Sequence, residues 1–260
     1  MSFQSDLLKG QVALVTGGGT GICRGIALAF AAHGCDVAIT SRKMEHLEPA
    51  VTALRATGRR AIAAAADVRD PAAVDGVIAS TIAELGRLDI VVNGAAGNFV
   101  CRAENLSPNG FGAVVDIDLK GTFHVSRAAL PHLKARGGSV LNISATLQLL
   151  GTMGQSHAAA AKAGIDSLTR TLACEWGAYG IRVNGIAPGP VEGTEGVRRL
   201  TNEQSREAAI RDCPLGRMAT IDDVANAALY LCSNAAAFVT GVTLVVDGGL
   251  WLRSSRILGD

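Results

Sequence analysis

The chain has 260 residues, 48% of them hydrophobic and 18% charged, with a formal net charge of +1. That length and apolar content suit one α/β domain with a large buried core, and the balanced charge without a basic block speaks against a nucleic-acid partner. No apolar run approaches the about 20 residues of a membrane helix, and Cys23, Cys35, Cys101, Cys174, Cys213 and Cys232 form neither a CxxC pair nor a metal-ligand cluster.

Short apolar runs alternate with longer helical stretches. Val12–Val15, Asp36–Thr40, Ala61–Ala65, Ile90–Asn93, Val140–Ile143, Arg182–Ile186 and Thr243–Val246 read as strands. They lack a period of two, as strands covered by helices on both faces do. Helices are expected near 21–33, 44–57, 71–85, 109–136, 154–178 and 221–233, the last opened by a Thr220/Asp223 cap box. The alternation predicts a single-domain, Rossmann-like doubly wound parallel sheet of about seven strands. A cofactor half would span about 8–150 and a catalytic half about 150–260. Residues 190–213 are the least regular, Gly-containing and then charged and helical, and read either as a mobile flap over a site or as a surface insertion. Met1–Lys9 is too short and polar for a signal peptide, and Arg256-Ile-Leu-Gly-Asp260 is not a Ser-Lys-Leu-type address. The expectation is a soluble, cytosolic protein.

The first strand runs into Thr16-Gly-Gly-Gly-Thr-Gly-Ile-Cys23 and then an apolar helix. Glycines there admit a pyrophosphate, and the helix N-terminus offers free N–H groups and a positive dipole end. Thr16, Gly17, Gly19, Thr20, Gly21 and Ile22 are therefore candidate dinucleotide contacts. The second strand ends in Ser41-Arg42-Lys43, with no acid to take a ribose 2′-hydroxyl. A 2′-phosphate suits those three residues, so NADPH is the expected cofactor; the alternative is a pair of solvated helix-start cations.

The Thr-Gly-x-x-x-Gly-x-Gly spacing resembles the short-chain dehydrogenase/reductase family, with Cys23 in place of the third glycine. Asp67-Val68, Asn93-Gly-Ala-Ala-Gly97 and Pro188-Gly189 match that family's motifs, so the resemblance assigns Asp67, Val68, Asn93, Ala95, Pro188 and Gly189 to the cofactor. The family also places a Tyr and a Lys on one helix face, four residues apart, with a Ser thirteen residues before the Tyr. Here Lys162 is present, but the Tyr and Ser positions are Ala158 and Ala145, and the family's Asn is Asp118. A ketone reductase needs an acid at oxygen. A conjugated thioester takes hydride at carbon and finally a proton at carbon, so its oxygen needs stabilisation rather than a proton.

With the stretches Ala95–Phe99, Asp116–Phe123, Ile143–Thr146, His157–Lys162, Ala187–Leu200 and Val246–Gly249, the chain resembles peroxisomal-type 2,4-dienoyl-CoA reductases. That resemblance implies NADPH-dependent reduction of 2,4-dienoyl-CoA to trans-3-enoyl-CoA, with Asp118 and Asp247 holding a water and Lys162 on the cofactor ribose. It also implies a homotetramer with dimer faces on the helices near 109–136 and 154–178. Asn98 and Phe99 are candidates for the acyl pocket, and Arg198 and Arg199 for the CoA phosphates or a solvated flap face. His157 reads as a packed histidine or a proton carrier. Two other readings stay open: the same fold acting on another acyl-CoA or carbonyl, and a silent NADPH-binding protein.

Overall fold

The computed structural model describes residues 3–252. Seven strands form one parallel sheet: β1 (Val12–Thr16), β2 (Asp36–Ser41), β3 (Ala61–Ala65), β4 (Ile90–Asn93), β5 (Gly138–Ile143), β6 (Ile181–Pro188) and β7 (Thr243–Val246). Their order is β3-β2-β1-β4-β5-β6-β7. The order reverses between β1 and β4, which opens a crevice at the carboxyl ends of those strands. The expected fold class and all seven strands are borne out.

The strands are apolar throughout because each serves two cores. Val15, Ile39, Val92, Leu141 and Ile186 face α1 (Gly21–Ala32), α2 (Met44–Arg55) and, late in the chain, α9 (Ile221–Cys232), meeting Phe30, Leu54 and Ala228. Leu14, Ala38, Val91, Val140 and Val183 face the other way. They pack with Val77 of α3 (Pro71–Leu85), Val125 of α5 (Gly121–Lys134) and Trp176 of α6 (Ser156–Trp176).

One reading needs correction. The stretch 109–136 is not one regular helix. It is α4 (Pro108–Val115), a five-residue π turn over Asp116–Lys120, and α5. A π turn fits one extra residue into the helix, and such turns are frequent at functional sites; Asp118 sits in its middle. Close packing also constrains this junction, since a Cβ on Gly121 would lie 2.6 Å from Val68 Cγ2. The stretch 190–213 turns helical after its glycines, as expected, with α7 (Glu195–Leu200) and α8 (Glu203–Asp212) capped by the side chains of Thr194 and Asn202. The segment Arg256–Asp260 lies outside the described residues. No helix among those described is long and apolar enough to cross a membrane.

Candidate active site

The glycine-rich turn is shaped by its neighbours. Thr16 Oγ1 donates to Val92 O (3.3 Å) and accepts from the N–H groups of Gly94 (2.9 Å) and Ala95 (3.1 Å), tying the end of β1 to the loop after β4. Gly17 has φ +70°, and a Cβ there would sit 2.9 Å from Gly94 O; one on Gly19 would sit 2.9 Å from His46 O. Thr20 and Ile22 flank Gly21, which opens α1 with φ +54°. The thiol of Cys23 is buried against Gly94. Burial pushes that thiol up to about 12, against the pull of the Lys162 charge.

At the β2 end, Ser41 Oγ donates to Lys43 O (3.3 Å), and Lys43 pairs with Glu45 (3.0 Å) at an exposed position. Arg42 is exposed and has no hydrogen bond or ion pair of its own within the described residues. Asp67 is gripped by Arg69, a partner the sequence reading missed, and its carboxyl is held below its ordinary value by those hydrogen bonds. Val68 offers its carbonyl to His124 Nδ1 (3.0 Å).

Asn93 belongs to a buried polar chain. Its amide donates to Ser126 Oγ and Asn142 Oδ1 (each 2.9 Å); Asn142 donates to Thr169 Oγ1 (2.8 Å), which donates to Ile165 O (2.8 Å). Nothing in the linear spacing of these residues predicts the chain, because four separate elements, β4, α5, β5 and α6, supply it. Pro188 pairs with Val246 across β6 and β7. A Cβ on Gly189 would lie 2.6 Å from Asp247 Cβ, so glycine is required there.

The structure brings Asp118 and Lys162 together. Asp118 is 2% exposed and Lys162 8%. Asp118 Oδ2 lies 3.1 Å from Lys162 Nζ, and its Oδ1 accepts from Gly97 N–H at 2.8 Å. Both oxygens face donors, the arrangement of an acceptor-only carboxylate. Lys162 also donates to Ile143 O (2.9 Å). An ammonium has three donors, so one is left.

Asp247 stands apart from this pair. Its Oδ1 accepts from Gly249 N–H (2.9 Å) and its Oδ2 from Trp251 N–H (2.8 Å). It holds its own turn, and no contact joins it to Asp118 among the described residues.

His157 has no exposed surface and lies tilted on Phe99, with ring centroids 4.4 Å apart. Neither ring nitrogen reaches a hydrogen-bond partner. Burial pushes the imidazole below its usual value, against the Phe99 backbone and the Asp118 charge. Asn93 Oδ1, Asn98 Oδ1 and Gln155 Oε1 are likewise buried without partners. Such orphans are uncommon in folded proteins, and these gather at the carboxyl end of the sheet, in keeping with a polar ligand there. The sequence reading missed Asp166, which accepts from Gln148 Nε2 (2.5 Å) and Thr243 Oγ1 (3.2 Å). Burial pushes its carboxyl up, with the Ser144 and Thr243 hydroxyls opposing. Its spacing four residues beyond Lys162 on α6 was the available signal.

Arg198 and Arg199 are exposed, and both pair with Glu195 on the same short helix. One carboxylate therefore holds both arginines.

A doubly wound parallel sheet with a glycine-rich turn at its switch point and a buried lysine beside the strand ends defines a dinucleotide-dependent oxidoreductase. The family model described as Enoyl-(Acyl carrier protein) reductase matches residues 17–251. The chain belongs to the short-chain dehydrogenase/reductase family. Among curated relatives, the Peroxisomal 2,4-dienoyl-CoA reductase, (3E)-enoyl-CoA-producing, of Arabidopsis thaliana is 47% identical, covering 98% of this chain and 89% of its own. A Probable 2,4-dienoyl-CoA reductase, (2E)-enoyl-CoA-producing, of Bacillus subtilis is 40% identical over 95% of this chain and 98% of its own. A gluconate 5-dehydrogenase from Burkholderia cenocepacia, solved with NADP and tartrate, superposes with a TM-score of 0.91 at 33% identity, covering 96% of this chain and 98% of that one.

The peroxisomal name of the Arabidopsis relative overturns the expectation of a cytosolic protein. That expectation rested on sorting signals not found at the chain ends, and their absence specifies no compartment.

Proposed function

We propose that this chain reduces 2,4-dienoyl-CoA to trans-3-enoyl-CoA, the reaction that the name of its Arabidopsis relative gives for that protein, and that NADPH is the reductant, as Ser41 and Arg42 at the β2 end support. The observation that carries the reading is the buried Asp118–Lys162 pair with no phenol beside it, alanine standing at both 145 and 158. A ketone reductase lacks its acid in such a site; a reaction whose proton ends on carbon does not need one at oxygen.

When bound, the reduced nicotinamide supplies a hydride to C5 of the dienoyl group. The electron pair moves toward the thioester oxygen, and a proton completes the product at C2. Thr16 to Ile22 and the α1 N-terminus would hold the pyrophosphate, and the glycines that tolerate no Cβ fit such a cradle. Ser41 and Arg42 would take the 2′-phosphate, with Lys43 released from its exposed pair with Glu45, a weak contact. Lys162 would give its remaining donor to a ribose hydroxyl while its charge steadies the dienolate. Asp118 would orient Lys162 and act on the substrate through solvent. Asp247, with both oxygens serving its turn, is assigned to that turn. Arg198 and Arg199 would meet the CoA phosphates by leaving Glu195. A homotetramer is part of this reading, with dimer faces on the helices near 109–136 and 154–178; the exposed Phe111 on α4 and Phe123 on α5 supply apolar surface for the first of these faces.

The test is to mix the protein with NADPH and 2,4-hexadienoyl-CoA and follow the nicotinamide absorbance. Turnover supports the reading. Turnover with ketones alone supports another carbonyl substrate, and tight NADPH binding without turnover supports a silent binding protein. A second product is favoured by the Bacillus relative's name: protonation at C4 would give the 2-enoyl thioester. The product's double-bond position separates the two.

A further inference from the structure

Two loops that meet at the Asp118–Lys162 site carry no charge. Residues 94–101 and 143–156 contain no Asp, Glu, Lys or Arg, in a chain where 18% of residues are charged. They are clipped together. Cys101 N–H donates to Gly154 O (3.0 Å), Gln155 Nε2 reaches Phe99 O (3.5 Å), and Phe99 lies on His157. A Cβ on Gly154 would sit 3.0 Å from Val100 Cγ1. Their inner ends reach the site, Gly97 through its bond to Asp118 and Ile143 through its bond to Lys162. Their outer parts leave large apolar side chains in solvent: Val100 at 60%, Leu149 and Leu150 at 43% each, and Met153 at 86%.

The rim therefore runs from buried polar groups to bare hydrocarbon. At its inner end stand the unpartnered oxygens of Asn98 and Gln155. A ligand matching that gradient has a polar head at the ion pair and an apolar tail pointing outward. The cavity by α7 and α8, about 400 Å³, is mixed: Glu192, Arg198, Glu203, Arg206 and Glu207 line it beside Val197, Ile210 and Met218. An alkyl tail laid there would desolvate some of those five charged side chains, which is costly, whereas the rim of residues 94–101 and 143–156 has none.

We infer that the apolar rim of Val100, Leu149, Leu150 and Met153 receives the alkyl tail of the acyl thioester beyond C5, and so sets a preference for longer chains. This rests on the acyl-CoA reading above and adds where the tail goes. A six-carbon dienoyl group has one carbon beyond C5 and does not reach the rim, whereas a ten-carbon group has five. Each methylene buried is worth about fourfold in affinity.

The experiment compares 2,4-hexadienoyl-CoA with 2,4-decadienoyl-CoA on the wild type and on Val100→Asn/Leu149→Asn and Met153→Asn. Expected is a wild-type kcat/KM at least about tenfold higher for the longer substrate. The double variant should lose most of that ratio while its kcat/KM for the six-carbon substrate stays within about twofold, which also shows that the fold is intact. Dissociation constants for hexanoyl-CoA and decanoyl-CoA, which differ by the same four carbons, test the tail preference without turnover, so loss of the dienoyl reading leaves the tail site separately testable. Unchanged selectivity in the double variant overturns the proposal. Equal loss for both chain lengths, accompanied by a change in sedimentation, also overturns it and makes the rim a contact between copies of the chain.

Discussion

The thiol of Cys23 occupies the space into which a side chain at position 94 would project: a Cβ on Gly94 would lie 2.0 Å from Cys23 Sγ. The two residues stand on different motifs, one opening the helix after β1 and one following β4, yet they share one packing volume. The departure of Cys23 from the family's glycine is accommodated because residue 94 has no side chain.

Gly94→Ala should consequently destabilise the protein by about 1–3 kcal/mol through overpacking. Cys23→Gly/Gly94→Ala should recover part of that loss, despite the cost of glycine in a helix, because the clashing atom is gone. Urea unfolding of the four proteins in this cycle measures the coupling. Additive losses would mean that the two positions do not compete for space.

The pair also shows what the chain reveals before it folds. The strands, their parallel order and the glycine-rich turn were legible because hydrophobic runs and turn chemistry are local. Lys162 and Asp118 were legible as candidates through the resemblance to the family's motifs, but their 3.1 Å contact was not, since it joins α6 to a π turn more than forty residues earlier. The same holds for the Asn93–Asn142–Thr169 chain and for the Glu195 clamp on Arg198 and Arg199, although Thr194-Glu195 and Asn202-Glu203 carried readable cap signals for α7 and α8. The turn contacts of Asp247 follow from local chemistry, since Asp before Gly-Gly serves its own turn readily.

Asp118→Asn should lower kcat by about 10²-fold or more, the scale seen when one stabilising group is removed from a reacting centre. Asn can still accept from Gly97 N–H, but its neutral amide leaves the buried Lys162 without its counter-charge. The NADPH dissociation constant should stay near that of the wild type. Stopped-flow turnover together with NADPH titration checks both. An unchanged kcat removes Asp118 from the reaction, and a parallel loss of NADPH binding gives it a structural role instead.

Arg42 decides the proposed cofactor choice because it is the one of the three β2-end residues not already engaged, Ser41 and Lys43 having local partners. Removing a charge-assisted hydrogen bond to phosphate costs about 1.5–3 kcal/mol. Arg42→Ala should therefore weaken NADPH binding about tenfold to a hundredfold and leave NADH binding unchanged. Fluorescence titration with both cofactors reads this directly. Equal weakening for both would place Arg42 outside the discrimination.

His157 gives the protein a pH signature. Its imidazole is buried without partners, and burial pulls it below its usual value near 6.5. The unfolded chain then binds a proton more readily than the folded one, so stability falls as pH drops through 6.5 and continues to fall down to the folded value. Above 6.5 the imidazole is neutral in both states and contributes no slope. His157→Phe keeps a ring against Phe99 and removes two unsatisfied nitrogens, a change that favours the folded state by about 1 kcal/mol. Thermal unfolding of both proteins without ligand between pH 8 and pH 5 should show the Tm gap widening toward acid, with the variant ahead. A gap that stays constant would mean that the imidazole is protonated equally well in the folded protein, and hence that it has an acceptor.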